Sequence, residues 1–285
     1  MEIGLPYTMQ ELPENSILQT YFKALSIQVN LSGLSFCVFN PALEKVETIY
    51  QFAVDFKYPN RAAIEKQLQS IFSTEGDLRQ EFDTIKVLHN TEHFAFVPRA
   101  LYTENTNAHH YLKYSVRIDN QDYVATDPLD VIDVVNVYSP NVLVNNVLLD
   151  YYGPFDYQHT ATALLRMFLT HYATQPYDVM YVYIEKTTFY IAYFHQKNLH
   201  YFNRFEYETK DDFLYFLLYS AEQLGIDMEQ IPLYINGAIT AQSPLFHQLK
   251  IYIRKVRIME YKGRTKPADM DTELFQQNFI LTQMF

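Results

Sequence analysis

Two stretches of the chain, about 150 residues apart, are written in the same grammar, and this repeat constrains the fold more than any other feature. The first reads strand over Ala24–Val29, turn over Asn30–Gly33, strand over Leu34–Phe39, turn around Asn40–Lys45, strand over Val46–Phe56, then a helix from Asn60. The second reads strand over Val179–Ile184, turn over Glu185–Thr187, strand over Thr188–Phe194, turn over Gln196–Asn198, strand over Leu199–Tyr207, then a helix from about Lys210. β-Branched and aromatic runs broken by polar turn residues are hairpin signals, so each copy is a three-stranded antiparallel meander feeding a helix. Thr209-Lys210-Asp211-Asp212 starts the second helix in the manner of a capping box, and Gly225 suits its end. Each helix leads into a short buried strand, Thr84–His89 in one copy and Pro232–Asn236 in the other.

Between the copies, Val131–Tyr138 reads as a strand, Asn141–Tyr152 as a helix stopped by Gly153-Pro154, and His159 or Thr160 to Tyr172 as a second helix. The expected class is α/β, with two consecutive halves of mixed sheet and a cleft between them. Residues 1–175 form the first half, with a small insertion at about 98–130; residues 176–255 form the second, and 256–285 a C-terminal extension.

Glycine supply then removes whole function classes. The seven glycines are never closer than twelve positions, and dinucleotide fingerprints and P-loops need several together so that backbone can approach phosphate without a Cβ in the way. A single cysteine, Cys37, excludes an internal disulfide and multi-cysteine metal sites; in the run Ser35–Phe39 it reads as a buried, inert thiol. No Gly-x-Ser-x-Gly elbow is present, so no catalytic residue is nominated. His89 and His93 sit four apart in what reads as a turn between antiparallel strands, so no metal ligand is nominated either. Asp119, Asp122, Asp127, Asp130 and Asp133 read as solvated loop charge, lacking the glycine and terminal glutamate of a calcium loop.

The formal charge is −11, from 22 Lys plus Arg against 33 Asp plus Glu, which makes nucleic acid an unfavoured partner. Residues 254–266 depart from this with Arg254, Lys255, Arg257, Lys262, Arg264 and Lys266 against Glu260 alone, and read as a solvated basic tail. The Met1-Glu2-Ile3 start lacks a basic n-region and no apolar run is long enough to span a membrane, so a cytoplasmic setting is expected.

The arrangement of two consecutive βββαβα halves resembles the actin-like (ribonuclease H-like) ATPase fold shared by actin, sugar kinases and bacterial cell-division and pilus-assembly proteins. More narrowly, Leu25–Val29 through Gly33–Cys37, Phe94–Arg99, Asn203–Phe205, Asp211–Leu218 and Leu233–Gly237 resemble the bacterial domain-of-unknown-function family 3822, over roughly residues 18–255. This resemblance implies an actin-like fold without an assigned activity.

It also implies where nucleotide machinery would sit. The first hairpin of an actin-like ATPase carries an Asp near a Gly; here the matching positions are Gln28 and Asn30, amides that cannot supply the charge that holds Mg²⁺. The second hairpin offers Glu185 and no glycine, with Lys186 beside it, and the adenosine loop keeps one glycine of two in Asn236-Gly237. The candidate cleft is therefore Asn30, Ser32, Gly33, Glu185, Lys186, Thr187, Asn236 and Gly237. The leading expectation is a non-catalytic binding or scaffolding protein with a degenerate cleft, no cofactor, and another protein as partner. The second is an ATPase or phosphotransferase that uses ATP with Mg in an atypical cleft.

Overall fold

A computed structural model describes residues 22–31, 33–54, 60–103, 108–114, 122–259 and 266–285. Its first half opens with β1 (Ala24–Asn30), β2 (Gly33–Asn40) and β3 (Lys45–Ala53), then α1 (Arg61–Thr74), capped by the Asn60 side chain, and β4 (Thr84–Asn90). The second half repeats this order with β9 (Val179–Ile184), β10 (Thr188–His195), β11 (Asn198–Glu206), α5 (Lys210–Gln223) and β12 (Leu233–Gly237).

Both halves close the same way. β8 (Asp156–His159) completes one five-stranded sheet in the order β3-β2-β1-β4-β8, and β13 (Val256–Ile258) completes the other in the order β11-β10-β9-β12-β13. In each, the meander pairs antiparallel and the last two strands join parallel. Even the register irregularity recurs, between Val38 and Phe39 in one middle strand and between Tyr193 and Phe194 in the other. The repeat read in the sequence is thus a repeat of topology, and neither sheet closes into a barrel.

Alternation along the strands sorts side chains into layers. Leu25, Ile27, Val29, Phe36 and Val38 face α1 and α3 (Val142–Tyr152) on the outer side of the first sheet. Met180, Val182, Ile184, Phe189 and Ile191 do the same beneath α5 and α6 (Pro244–Tyr252) in the second. The inner faces differ. The first carries small or polar groups, Ala24, Ser26, Gln28, Ser35 and the fully buried Cys37, beside Phe39, Val46, Ile49 and Leu88, whereas the second presents Tyr181, Tyr183, Tyr190 and Phe194. Between them lie α4 (Thr160–Tyr172) and two short C-terminal helices, α7 (Thr272–Gln277) and α8 (Phe279–Thr282).

The C-terminal helices enter the interior. Phe279, Ile280 and Leu281 are buried in the layer shared by both sheets; the Ser26 hydroxyl donates to the Leu281 carbonyl at 2.8 Å, and the Ile280 amide donates to the Tyr183 hydroxyl at 3.4 Å. Of the basic tail, Arg254, Lys255, Arg257 and Lys266 are described; Lys255 donates to the Gln230 carbonyl and Arg257 to the Tyr234 hydroxyl.

A third sheet, β5-β7-β6, is built from β5 (Phe94–Pro98), β6 (Ala125–Leu129) and β7 (Val134–Tyr138), with the one-turn α2 (His109–Leu112) against it. The strand read at Val131–Tyr138 is therefore the centre of the inserted sheet. Residues 91–93 also differ from the expected antiparallel turn: β4 and β5 belong to different sheets, and the segment carries the chain from one to the other. Asp127 departs most from expectation. It is buried, accepting from the Tyr138 hydroxyl, the His159 amide and the Thr162 hydroxyl, because its strand folds over the edge of β8. Among the described residues, no helix is long and apolar enough to cross a membrane.

Candidate functional site at the junction of the halves

The β1–β2 and β9–β10 hairpins converge at the carboxyl ends of the parallel strands, the end of an open α/β sheet at which ligands characteristically bind. One acidic side chain joins them. Glu185 directly follows β9, and its Oε1 accepts from Gln28 Nε2 at 3.3 Å and Asn90 Nδ2 at 2.8 Å; its Oε2 accepts from Asn90 Nδ2 at 3.0 Å and the Thr188 hydroxyl at 2.6 Å. Asn90 also donates to Asn30 Oδ1 at 2.8 Å, and its own carbonyl accepts from the Tyr190 hydroxyl at 2.8 Å. The Glu185 backbone carbonyl accepts from the Tyr207 hydroxyl at 2.7 Å.

All donors on that carboxylate are neutral. Burial first, and the Glu185 charge second, push the Tyr183 and Tyr190 hydroxyls far up, so Tyr190 stays a donor. Both Glu185 oxygens are occupied by protein groups from both halves. The shared carboxylate thereby links the two hairpins.

The remaining sequence candidates divide around this centre. Asn30 belongs to the network through Asn90. Ser32 lies outside the described residues. Gly33 serves the β2–β3 pairing, since a Cβ there would stand 2.3 Å from the Phe52 carbonyl oxygen. Lys186 and Thr187 are exposed at the hairpin tip, and no ion pair within 4.0 Å joins Lys186 to Glu185. Asn236 is buried with both ends of its amide used, donating to the Met259 carbonyl and accepting from the Gly237 amide. Gly237 lies against the backbone of Ile184, one residue before Glu185.

Sequence reasoning missed Asn90, Thr188, Tyr190 and Tyr207. Position at the end of a parallel strand was the available signal for Asn90, but its partners come from residues 60 and 95 positions away. It also missed the two histidines that brace the junction from the first half. His159 accepts from the Ala161 amide through Nδ1 at 3.1 Å, capping α4, and faces the Thr91 carbonyl through Nε2 at 3.0 Å. His89 likewise receives the Asn141 amide at Nδ1 and faces Asn145 Oδ1 through Nε2. Both are neutral imidazoles protonated on Nε2, and protonating Nδ1 would set a proton against an amide N–H.

Burial accordingly pulls His159 down to about 3 and His89 to about 4, from an ordinary 6.5. Above pH 6.5 neither state carries the proton and neither histidine contributes. Below it the unfolded chain binds protons that the folded chain refuses, so stability falls with pH at about 1.4 kcal/mol per histidine per unit. Asp127, raised mainly by desolvation, opposes this as its folded form takes up a proton. Chemical denaturation between pH 6.5 and 4 should show acid destabilisation, and His159→Gln should flatten the slope by about one proton. An unchanged slope would mean that His159 is not a buried neutral imidazole.

Comparison with known proteins agrees with this architecture. A Bacteroides thetaiotaomicron protein of unknown function with an actin-like ATPase fold aligns at a TM-score of 0.71 and 22% identity, over 86% of this chain and 93% of that one. The PilM-PilN type IV pilus biogenesis complex contains a chain that aligns at 0.59 and 11% identity, over 91% of this chain and 96% of that one. At such identities the likeness establishes the fold. No curated protein matches the sequence. Residues 12–256 match the family described as a protein of unknown function (DUF3822), so the chain, an actin-like fold of two repeated halves, belongs to the DUF3822 family.

Proposed function

We propose that this protein is a non-catalytic actin-like scaffold of the cytoplasm, in which the nucleotide junction has become a fixed bond between halves and another protein is the partner. The observation that carries this reading is the Glu185 carboxylate shared among Gln28, Asn90 and Thr188. An ATPase of this fold needs a carboxylate in the first hairpin that holds Mg²⁺ and water, and backbone room for phosphate. Here the first hairpin supplies amides: Gln28 donates to Glu185, the second hairpin's single acid, and Asn30 accepts from Asn90, which donates to the same carboxylate, so the groups that would serve a nucleotide are engaged with one another.

The apolar layer shared by both sheets supports the same reading, because opening the halves around a ligand would expose Phe279, Ile280 and Leu281. Similarity to a chain in the PilM-PilN complex, an assembly of two proteins, favours a protein partner over a small substrate.

The test is calorimetric and thermal. A nucleotide at a hundredfold excess over its dissociation constant would stabilise the fold by about 2.7 kcal/mol, a shift of a few degrees at this size. Mg-ATP and Mg-ADP at millimolar concentration should give neither heat nor shift, whereas Glu185→Ala, leaving buried donors unpaired, should cost about 2 kcal/mol. A saturable Mg-ATP shift would replace the scaffold with a nucleotide-binding protein of atypical cleft.

A further inference from the structure

A second concave site lies at the other end of the parallel strands. A cavity of about 490 Å³ runs along the edge strand β8, bounded by the start of β4, by β6, by Arg166 of α4 and by Met284. Its volume falls within the range of small-ligand sites. Phe155, Tyr157, Pro128 and Val87 supply apolar or aromatic wall, and two cations converge on it, Lys86 and Arg166.

Both cations are held by neutral oxygens. Lys86 Nζ donates to the Met284 carbonyl at 2.7 Å and stands 5.0 Å from the Phe285 ring centre; Arg166 donates to Gln158 Oε1 and to the Pro128 carbonyl at 3.0 Å. Among the described residues, neither forms an ion pair with a carboxylate within 4.0 Å. Carbonyl partners position a cation without cancelling its charge, and each side chain keeps donors to spare. In a chain carrying −11, two cations without an ion-pair contact, set over an aromatic wall, form a local exception.

The two acids of the lining define the anion. Asp127 is committed to Tyr138, His159 and Thr162, and the Arg166 charge reaches it without ion-pair contact. Asp156 is exposed and lies directly opposite Lys86 in the β4–β8 register, so it adds a negative charge beside that cation at the rim. The formal charges of the lining sum to zero, so one incoming negative charge is accommodated at lower electrostatic cost than a dianion.

We propose that this cavity binds a small organic monocarboxylate with an apolar or aromatic body, its carboxylate on Lys86 and Arg166 and its body against Phe155 and Tyr157. The site shares no residue with the Glu185 network, so it stands whether or not nucleotide binds at the hairpins.

The experiment is a titration of the full chain with phenylacetate, followed by calorimetry and by ligand-observed magnetic resonance, with phenethylamine and inorganic phosphate as comparison probes. Phenylacetate should bind saturably at about the millimolar level a fragment of this size reaches, and more strongly than either comparison probe. Arg166→Gln, a change at an exposed position, and Lys86→Met should each weaken it about tenfold, the loss expected for one charge-assisted hydrogen bond. Equal binding of the amine, a preference for phosphate, no saturable binding of phenylacetate, or full affinity in folded Arg166→Gln protein would each overturn the assignment.

Discussion

Ending the chain at Met270 should leave a protein without a cooperative unfolding transition. Residues 271–285 bury Phe275, Phe279, Ile280, Leu281 and Met284 in the layer between the two sheets. At about 1.5–3 kcal/mol for each fully buried side chain, their removal forfeits on the order of 10 kcal/mol, which is the whole stability of an ordinary domain. It also uncovers Ser26 and the ring of Tyr183, whose hydrogen-bond partners are the Leu281 carbonyl and the Ile280 amide. Leu281→Ala gives the graded version. Its side chain is fully buried, so the change should cost about 2–5 kcal/mol, read as a lower denaturation midpoint at an unchanged slope. Native-like stability of the shortened chain would mean that the sheets hold together without this segment.

The same segment shows where the sequence was mute. The meanders were legible because their signals are local: alternating β-branched and aromatic residues, and turns such as Asn-Leu-Ser-Gly. The caps at Asn60 and Thr209 were legible for the same reason. β8, by contrast, is Asp-Tyr-Gln-His, four residues with no hydrophobic pattern, and it is a strand only because β4 offers it an edge. Residues 271–285 follow a run of cations, and their burial depends on the inner face of a sheet whose first strands lie more than 200 positions earlier. Asp127 looked like loop charge because the amide and hydroxyls that receive it are 11 to 35 positions away.

The candidate site divides along the same line. Glu185 and Asn30 could be named, since each opens the turn of a predicted hairpin. That they meet through Asn90, and that the acid bonds to amides of the other half, is tertiary information. Naming the position of a missing catalytic Asp was possible from sequence; seeing that its replacement had been given a structural task was not.

Gly237→Ala should be among the most destabilising single changes in the protein, costing more than about 4 kcal/mol, and this decides how the junction can be probed. Gly237 ends β12 with φ at +95°, a region that a residue with a Cβ enters only under strain. An added Cβ would stand 2.1 Å from the Ile184 carbonyl oxygen and 2.9 Å from the Ile184 nitrogen and carbon, all backbone atoms that cannot rotate away. The same Ile184 carbonyl accepts from the Ala238 amide at 2.7 Å, so moving it would break the contact of β12 with the residue that precedes Glu185. Gly76→Ala is the matched control: its φ is not positive and a Cβ there meets nothing within 4 Å, so it should change stability by less than about 1 kcal/mol. Denaturation of the two variants side by side settles the point, and a cost for Gly237→Ala no larger than that of the control would refute the close approach. Loss of any binding on altering Gly237 would therefore report a displaced strand. Glu185→Gln, which keeps the side chain's shape while removing the charge that four hydrogen bonds converge on, is the change that interrogates the junction itself.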